Sequence, residues 1–427
     1  MSTRAPSTGA TALRPMRTIL GNGVVVLSKE TRKTPVVAIN LAIRAGSVCE
    51  PHEAPGALGL LARVVDRGTT ARSAADIAEE LDGRGISLAI AVNRHLFSLV
   101  CTCLAADFES ILSLLGEIVM APSVPEIELA RRKSEVVTAI RQDDDNPAVQ
   151  AVERLMAVLY GSAHPYGRPV KGTIESVERM TRDQLLGLHA ERFAPTEASA
   201  VIVGDVEGSR ALAVAERVFG GWRAPSPAPV QLPRVSPASE RRRVVVPMMN
   251  KAQADVAYGF TTITRRDPAY YAYWLMNNAL GQYALGGRLG DNIRERQGMA
   301  YYVSSVLDAS LLEGPLMIRA GVSPANVDRT IAAIDHELAR LRADGLTAKE
   351  LNESRQYLIG AMPRSLETNA GIASFLQTGE FFGLGVDYDV RMPGLLDAVT
   401  LDDVKAAARR AVDPDRAGIV IAGPYQA

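Results

Sequence analysis

The segment GGRLGDNIRERQGMAYYVSSV, residues 286–306, is the richest stretch of the chain in hydrogen-bonding chemistry. Leu289, Ile293 and their flanks give a short amphipathic helix, Gly298 ends it, and AYYVSSV alternates as a strand. Arg294 then falls on the last turns of the helix and Tyr301 at the start of the strand. A turn between them can carry a guanidinium and a phenol to one rim. A permanent cation and a neutral donor aimed at a single carbonyl oxygen form an oxyanion-hole type of pairing. The plainer reading makes Arg294-Glu295-Arg296 ordinary surface charge.

Other chemistries find no purchase. A hydrolytic zinc site on a helix needs two histidines four residues apart, so that both rings leave one face. The five histidines are His52, His95, His164, His189 and His336, and no two lie that close. Each reads as a surface or structural residue. Cys49, Cys101 and Cys103 make an odd count without a CxxC pair, against both a disulfide framework and a thiolate zinc site. There is no GxSxG elbow, no GxxxxGK phosphate loop and no GxGxxG turn between strand and helix. The acidic run Asp143–Asn146 precedes Pro147 and reads as a solvated helix end. An independent enzyme of unfamiliar chemistry is therefore disfavoured: no acid, base and nucleophile converge.

The elements that position Arg294 and Tyr301 belong to a long chain. Its 427 residues suit two domains, and 47 Lys and Arg against 48 Asp and Glu leave no global field for nucleic acid or an anionic membrane. No apolar run reaches the ~18 residues a bilayer requires. The start, MSTRAPSTGATALRPMR, lacks acid and an apolar core. It reads as a disordered tail over residues 1–14 of a cytoplasmic protein, with periplasmic or organellar placement left open.

Two halves repeat one pattern. MTRDQLLGLHAERFAPTEASAVIVGDV begins at Met180 and VTLDDVKAAARRAVDPDRAGIVIAGPY at Val399, so Thr181 matches Thr400, Asp183 Asp402, Pro195 Pro414 and Gly204 Gly423, always 219 positions apart. Both read as a Thr-capped amphipathic helix, a proline turn and a buried strand closed by glycine. ELARRKSEVVTAI from Glu128 echoes ELNESRQYLIGAM from Glu350. A tandem duplication follows. The proline-rich stretch around residues 223–243 divides the halves. The expected domains are 15–224 and 244–427, joined by a linker over 225–243. Residues 36–43, 86–92, 96–104 and 255–262 read as strands; 73–81, 107–120 and 126–141 read as helices. Consecutive helices favour an α+β class, two tandem domains each with a mainly antiparallel sheet and helices on one face.

Together these residues resemble the insulinase/pitrilysin family of zinc metallopeptidases, in its processing-peptidase and cytochrome bc1 core-protein branch. The resemblance runs from about Pro15 to Gly423. It rests on RAGSVCEP, GLLARVVDRGT, HPYGRPVKGTIESVERMT, VFGGWRAP and GGRLGDNIRERQGMAYYVSS, in that order. In active members the helix before the Gly-Thr turn carries His-x-x-Glu-His. Aligning on Gly68-Thr69 places Gly59 and Arg63 where the two histidines stand and Ala62 where the general base stands. The third ligand, a later glutamate, falls at about Ala139. The resemblance thus implies that this chain binds no metal and holds no catalytic residue. Arg294 and Tyr301 match the family's substrate-gripping pair, which faces the zinc site across a large cavity. It further implies a non-catalytic, substrate-binding subunit: half of a clamshell heterodimer whose homologous partner supplies zinc and general base for peptide cleavage. The alternative is a structural or assembly protein akin to the bc1 core subunits, which has no need to keep both Arg294 and Tyr301.

Overall fold

In the computed structural model residues 12–235, 238–282 and 286–426 are described. The expected tail therefore lies, over residues 1–11, outside the described residues. Leu13 is fixed: its amide donates to Asp389 Oδ2 at 2.7 Å, and its side chain is buried. Among the described residues no helix is long and apolar enough to cross a membrane.

The duplication read from the sequence is a duplication of topology. The first half builds β1 (Met16–Ile19), β2 (Val25–Glu30), β3 (Val36–Ile43), β4 (Ala89–Val92), β5 (Phe97–Leu104) and β6 (Ala198–Gly204). The second builds β7 (Arg242–Pro247), β8 (Ala254–Thr261), β9 (Ala300–Leu307), β10 (Pro315–Val322) and β11 (Gly418–Gly423). The sheets run β1-β2-β6-β3-β5-β4 and β7-β11-β8-β10-β9. Without the extra edge strand β1 the two orders coincide. In each, one pair is parallel (β2 with β6, β7 with β11) and every other pair antiparallel. β7 begins at Arg242, so the last residues read as linker are already strand.

Matched positions do matched work. Thr181 and Thr400 each close a capping box, with Gln184 and Asp403 as the reciprocal side chains. Pro195 and Pro414 each open a single 3-10 turn. Gly204 and Gly423 close the strands at φ 151° and 137°, and a Cβ there would lie 2.2 Å from Val36 O and 2.6 Å from Ala254 Cα respectively. Only glycine fits both.

One feature of the packing is non-local. The chain forms two compact units, each discontinuous in sequence: one comprises residues up to Ser134, Glu175–Val230 and Ile359–Gly394; the other comprises Glu135–Ile174, Gln231–Leu358 and Leu395–Ala427. Each half of the sequence thus lends a helix to the other half's sheet. Asn369–Phe382 lies on β3 and β6, setting Ile372, Ala373 and Leu376 against Leu27, Ala38, Val201 and Val203. Pro147–Tyr160 lies on β8 and β11, setting Ala151, Leu155 and Leu159 against Ala257, Val420 and Ala422. Each buried leucine contributes ~2 kcal/mol. The α+β class holds, with one exchanged helix packed on each sheet.

The acidic run is a helix end with its charges answered. Asp143 meets Lys171, Asp145 meets Lys251 at 2.7 Å, and Asn146 caps the helix that Pro147 opens. The three cysteines are buried free thiols. His164 and His189 bond backbone groups, and buried His95 is held to about 4 by desolvation and neighbouring Arg94.

Candidate functional site

The stretch before the Gly-Thr turn forms the helix Ala57–Val64. Buried Glu50 caps it: Oε2 accepts from the Gly56 amide and Oε1 from the Leu58 amide, both at 2.8 Å. A carboxylate there satisfies two unpaired amides and complements the helix dipole. Leu58, Leu60, Leu61 and Val64 are wholly buried, and the helix lies against β4 and the Arg182–Arg192 helix. Gly59 and Arg63 make the remaining stripe, half-buried and exposed, one turn apart on the same side; Ala62 is buried beside them.

The turn that follows is tightly specified. Gly68 has φ 151°, with Ser123 Oγ 2.6 Å from where a Cβ would sit. Thr69 Oγ1 accepts from the amides of Ala71 and Arg72 at 3.2 and 2.9 Å. Ala139 lies half-buried on the helix Glu126–Asp144.

The geometry of two histidine ligands is thus present at Gly59 and Arg63 without the chemistry. Glycine and alanine carry no donor atom, and a guanidinium repels a cation. Zinc does not fit this set. Among the described residues no group of three or more His, Cys, Asp or Glu is placed to hold a metal ion.

The second set sits on the other unit. Residues 290–296 form a π-helix where the sequence predicts an ordinary helical turn. The Gln297 amide bonds Asn292 O, five residues back, at 3.1 Å, and Gly298 at φ 60° then releases the chain into β9. Two polar anchors fix this segment. Arg288 forms a bidentate pair with Glu350 at 2.6 and 2.8 Å and also bonds Gly345 O. Asn292 donates to Glu337 at 2.7 Å.

The flanking arginines are consumed by structure, and Arg294 is not. Arg296 pairs with Asp291 at 2.6 Å, whereas Arg294 is exposed and, among the described residues, its one ion pair is with its neighbour Glu295, at 3.8 Å. Tyr301 is 66% exposed. It is also the extra residue of a β-bulge: Tyr302 faces Gly321 and Ala300 faces Val322, which leaves Tyr301 without an opposite number on β10. A bulge turns a side chain out of the strand's alternation, a device common beside functional sites. The π-helix packs against β9, so both donors flank one short turn. No hydrogen bond joins their side chains.

Sequence reasoning missed the Tyr302 network. Its hydroxyl donates to buried Asp255; burial first, then that carboxylate, push the phenol up, and Arg319 opposes them. The doublet Tyr301-Tyr302 was the available signal, since neighbours on a strand face opposite ways unless a bulge intervenes.

Comparison with known proteins follows this division. Residues 25–173 match the model of the insulinase family, peptidase family M16, and residues 179–358 match that of the peptidase M16 inactive domain. The chain belongs to the insulinase (M16) family. The M16 relatives include an uncharacterized zinc protease of Mycobacterium tuberculosis, 28% identical over all of this chain and 97% of the relative. Another from Bacillus subtilis is 26% identical over 93% of this chain and 95% of the relative. The crystal structure of a peptidase M16 inactive domain from Pseudomonas fluorescens is similar, with TM-score 0.89 and 27% identity over 97% of this chain and 99% of that one. A Helicobacter pylori protease at 17% identity and TM-score 0.88 shares the fold, covering 97% of this chain and all of that one. The two-domain M16 architecture is therefore that of this protein.

Proposed function

We propose that this chain is the non-catalytic, substrate-binding subunit of a heterodimeric zinc metallopeptidase that cleaves peptides. A homologous partner supplies the metal and the general base. One observation carries the reading: the positions that match the family's metal site hold no ligand atom, at Gly59, Ala62 and Arg63 on one helix and Ala139 on another, while Arg294 and Tyr301 stay exposed on a firmly anchored turn. A protein kept only for assembly has no reason to leave these two donors exposed while holding both flanking arginines in short ion pairs.

The roles follow from the donors. Arg294 brings charge and several N–H groups, and Tyr301 one O–H on a short, stiff side chain. Held on the carbonyl of the bond being cleaved, they orient the peptide and stabilise the charge that grows on its oxygen. Loss of one such donor costs roughly 10²–10³ in turnover.

The test is reconstitution. The purified chain is mixed with the homologous subunit that carries an intact His-x-x-Glu-His, and peptide cleavage is followed. Arg294→Ala and Tyr301→Phe are expected to assemble normally on size exclusion and to lower cleavage by that factor. Full activity of the double variant refutes the gripping role.

A further inference from the structure

We propose that Arg319 and the strip of sheet around it form a subsite for a peptide carboxylate. The inference deepens the peptide-binding reading above and rests on it.

The strip is defined by register. On the face of the second sheet that receives the helix Pro147–Tyr160, three rows of residues run across the strands. The first is Tyr302, Gly321, Asp255 and Ala422; the second Ser304, Arg319, Ala257 and Val420; the third Val306, Met317, Gly259 and Gly418. The helix lies over the β8 and β11 ends of these rows, where a Cβ on Gly259 or Gly418 would come within 3.1 Å or 3.0 Å of a leucine methyl. Toward the β9 and β10 ends Tyr302, Ser304 and Arg319 are half-buried and Val306 is exposed, while Met317 packs against the buried cluster under the helix.

Arg319 stands in the middle of this strip without a carboxylate. None of the ion pairs among the described residues includes Arg319. The nearest acid in the rows, Asp255, is taken by the Tyr302 hydroxyl and by Gln253 Nε2. Gly321 permits this, because a Cβ there would lie 2.4 Å from the Tyr302 ring; the ring crosses β10 to reach β8. The guanidinium is left beside the phenol with donors to spare, and Ser304 stands directly opposite on β9.

The duplicated half supplies an internal control. The same register in the first sheet places Asn40 opposite Val201 and Val100, with Ala89 beyond. Val100 and Ala89 therefore occupy the places of Arg319 and Ser304. The charge is a property of the second sheet and not of the fold. A half-buried guanidinium without a carboxylate partner, with a hydroxyl across the strand, suits a planar anion. β9 also carries Tyr301, so a peptide held there passes over this strip. Its carboxylate comes either from an acidic side chain or from its own C-terminus.

Fluorescence anisotropy on the purified full chain tests this without the partner or any cleavage. Three labelled peptides of one length serve as probes: one with a central Asp and an amidated end, one with a free C-terminal carboxylate and no acid, and one neutral and amidated. Whichever carboxylate peptide binds more tightly than the neutral one identifies the source. Arg319→Gln is expected to weaken that peptide about tenfold and leave the neutral one unchanged, the loss of one charge-assisted bond. Arg319→Glu is expected to transfer the preference to a Lys-bearing peptide, with circular dichroism confirming the fold of both variants. Equal binding of all three peptides, no binding of any, or equal weakening of all by Arg319→Gln overturns the proposal. Failure of reconstituted cleavage with this preference intact overturns the subunit reading instead.

Discussion

Glu350→Gln tests the anchor that carries the Arg294 turn. The Glu350 carboxylate accepts from Arg288 Nε at 2.6 Å and Nη2 at 2.8 Å, and from the Thr347 amide and hydroxyl at 2.7 and 2.8 Å. Burial alone would raise its pKa; the Arg288 guanidinium and the Thr347 donors outweigh that and bring it from 4.5 to about 2. At about 1.4 kcal/mol for each tenfold change in acidity, this corresponds to about 3 kcal/mol. A quarter of the Glu350 side chain is exposed, so solvent screening brings the expected loss to about 2 kcal/mol. The sign is set by the folded carboxyl being the stronger acid. Its stabilisation is complete above the unfolded value near 4.5 and fades as pH falls toward 2. Urea unfolding of wild type and Glu350→Gln from pH 7 to pH 3 reads this directly. The gap between them should be about 2 kcal/mol at neutral pH and shrink by more than half at pH 3. A gap that stays constant over that range, or is absent at pH 7, refutes the reasoning.

Other perturbations have equally definite outcomes. Gly68→Ala forces a Cβ to 2.6 Å from Ser123 Oγ at φ 151°, and should cost about 2 kcal/mol or more in denaturant unfolding. Glu50→Ala removes both side-chain bonds at the start of Ala57–Val64 and should cost about 1–2 kcal/mol, with faster amide exchange at Gly56 and Leu58. Burial pushes the thiols of Cys101 and Cys103 up to about 12 and about 11, so a thiol reagent at pH 8 should label them only after unfolding.

The legible parts of the fold were those with local causes. Thr181 and Thr400 announce capped helices because the cap is made within four residues, and Gly204 and Gly423 announce strand ends because only glycine tolerates the approach of the next backbone. The exchange of Pro147–Tyr160 and Asn369–Phe382 had no such signal. Periodicity shows that Leu155 and Leu159 share a face, but not which sheet that face meets. The π-helix at 290–296 was likewise hidden, since Leu289 and Ile293 satisfy ordinary helical spacing. Arg294 and Tyr301 were read from the helix, the Gly298 turn and the strand that follows, and the family resemblance added their role. Arg319 escaped notice because one arginine in an alternating strand looks like any solvated residue until register shows what lies beside it.

The central claim is that this polypeptide contributes grip and its partner the metal. The most direct measurement is the zinc content of a homogeneous sample, stripped with chelator, re-exposed to zinc and dialysed, with peptide cleavage assayed on the same sample. The account predicts no stoichiometric zinc and no cleavage until the partner is added. One firmly held zinc per chain, accompanied by cleavage without a partner, contradicts it.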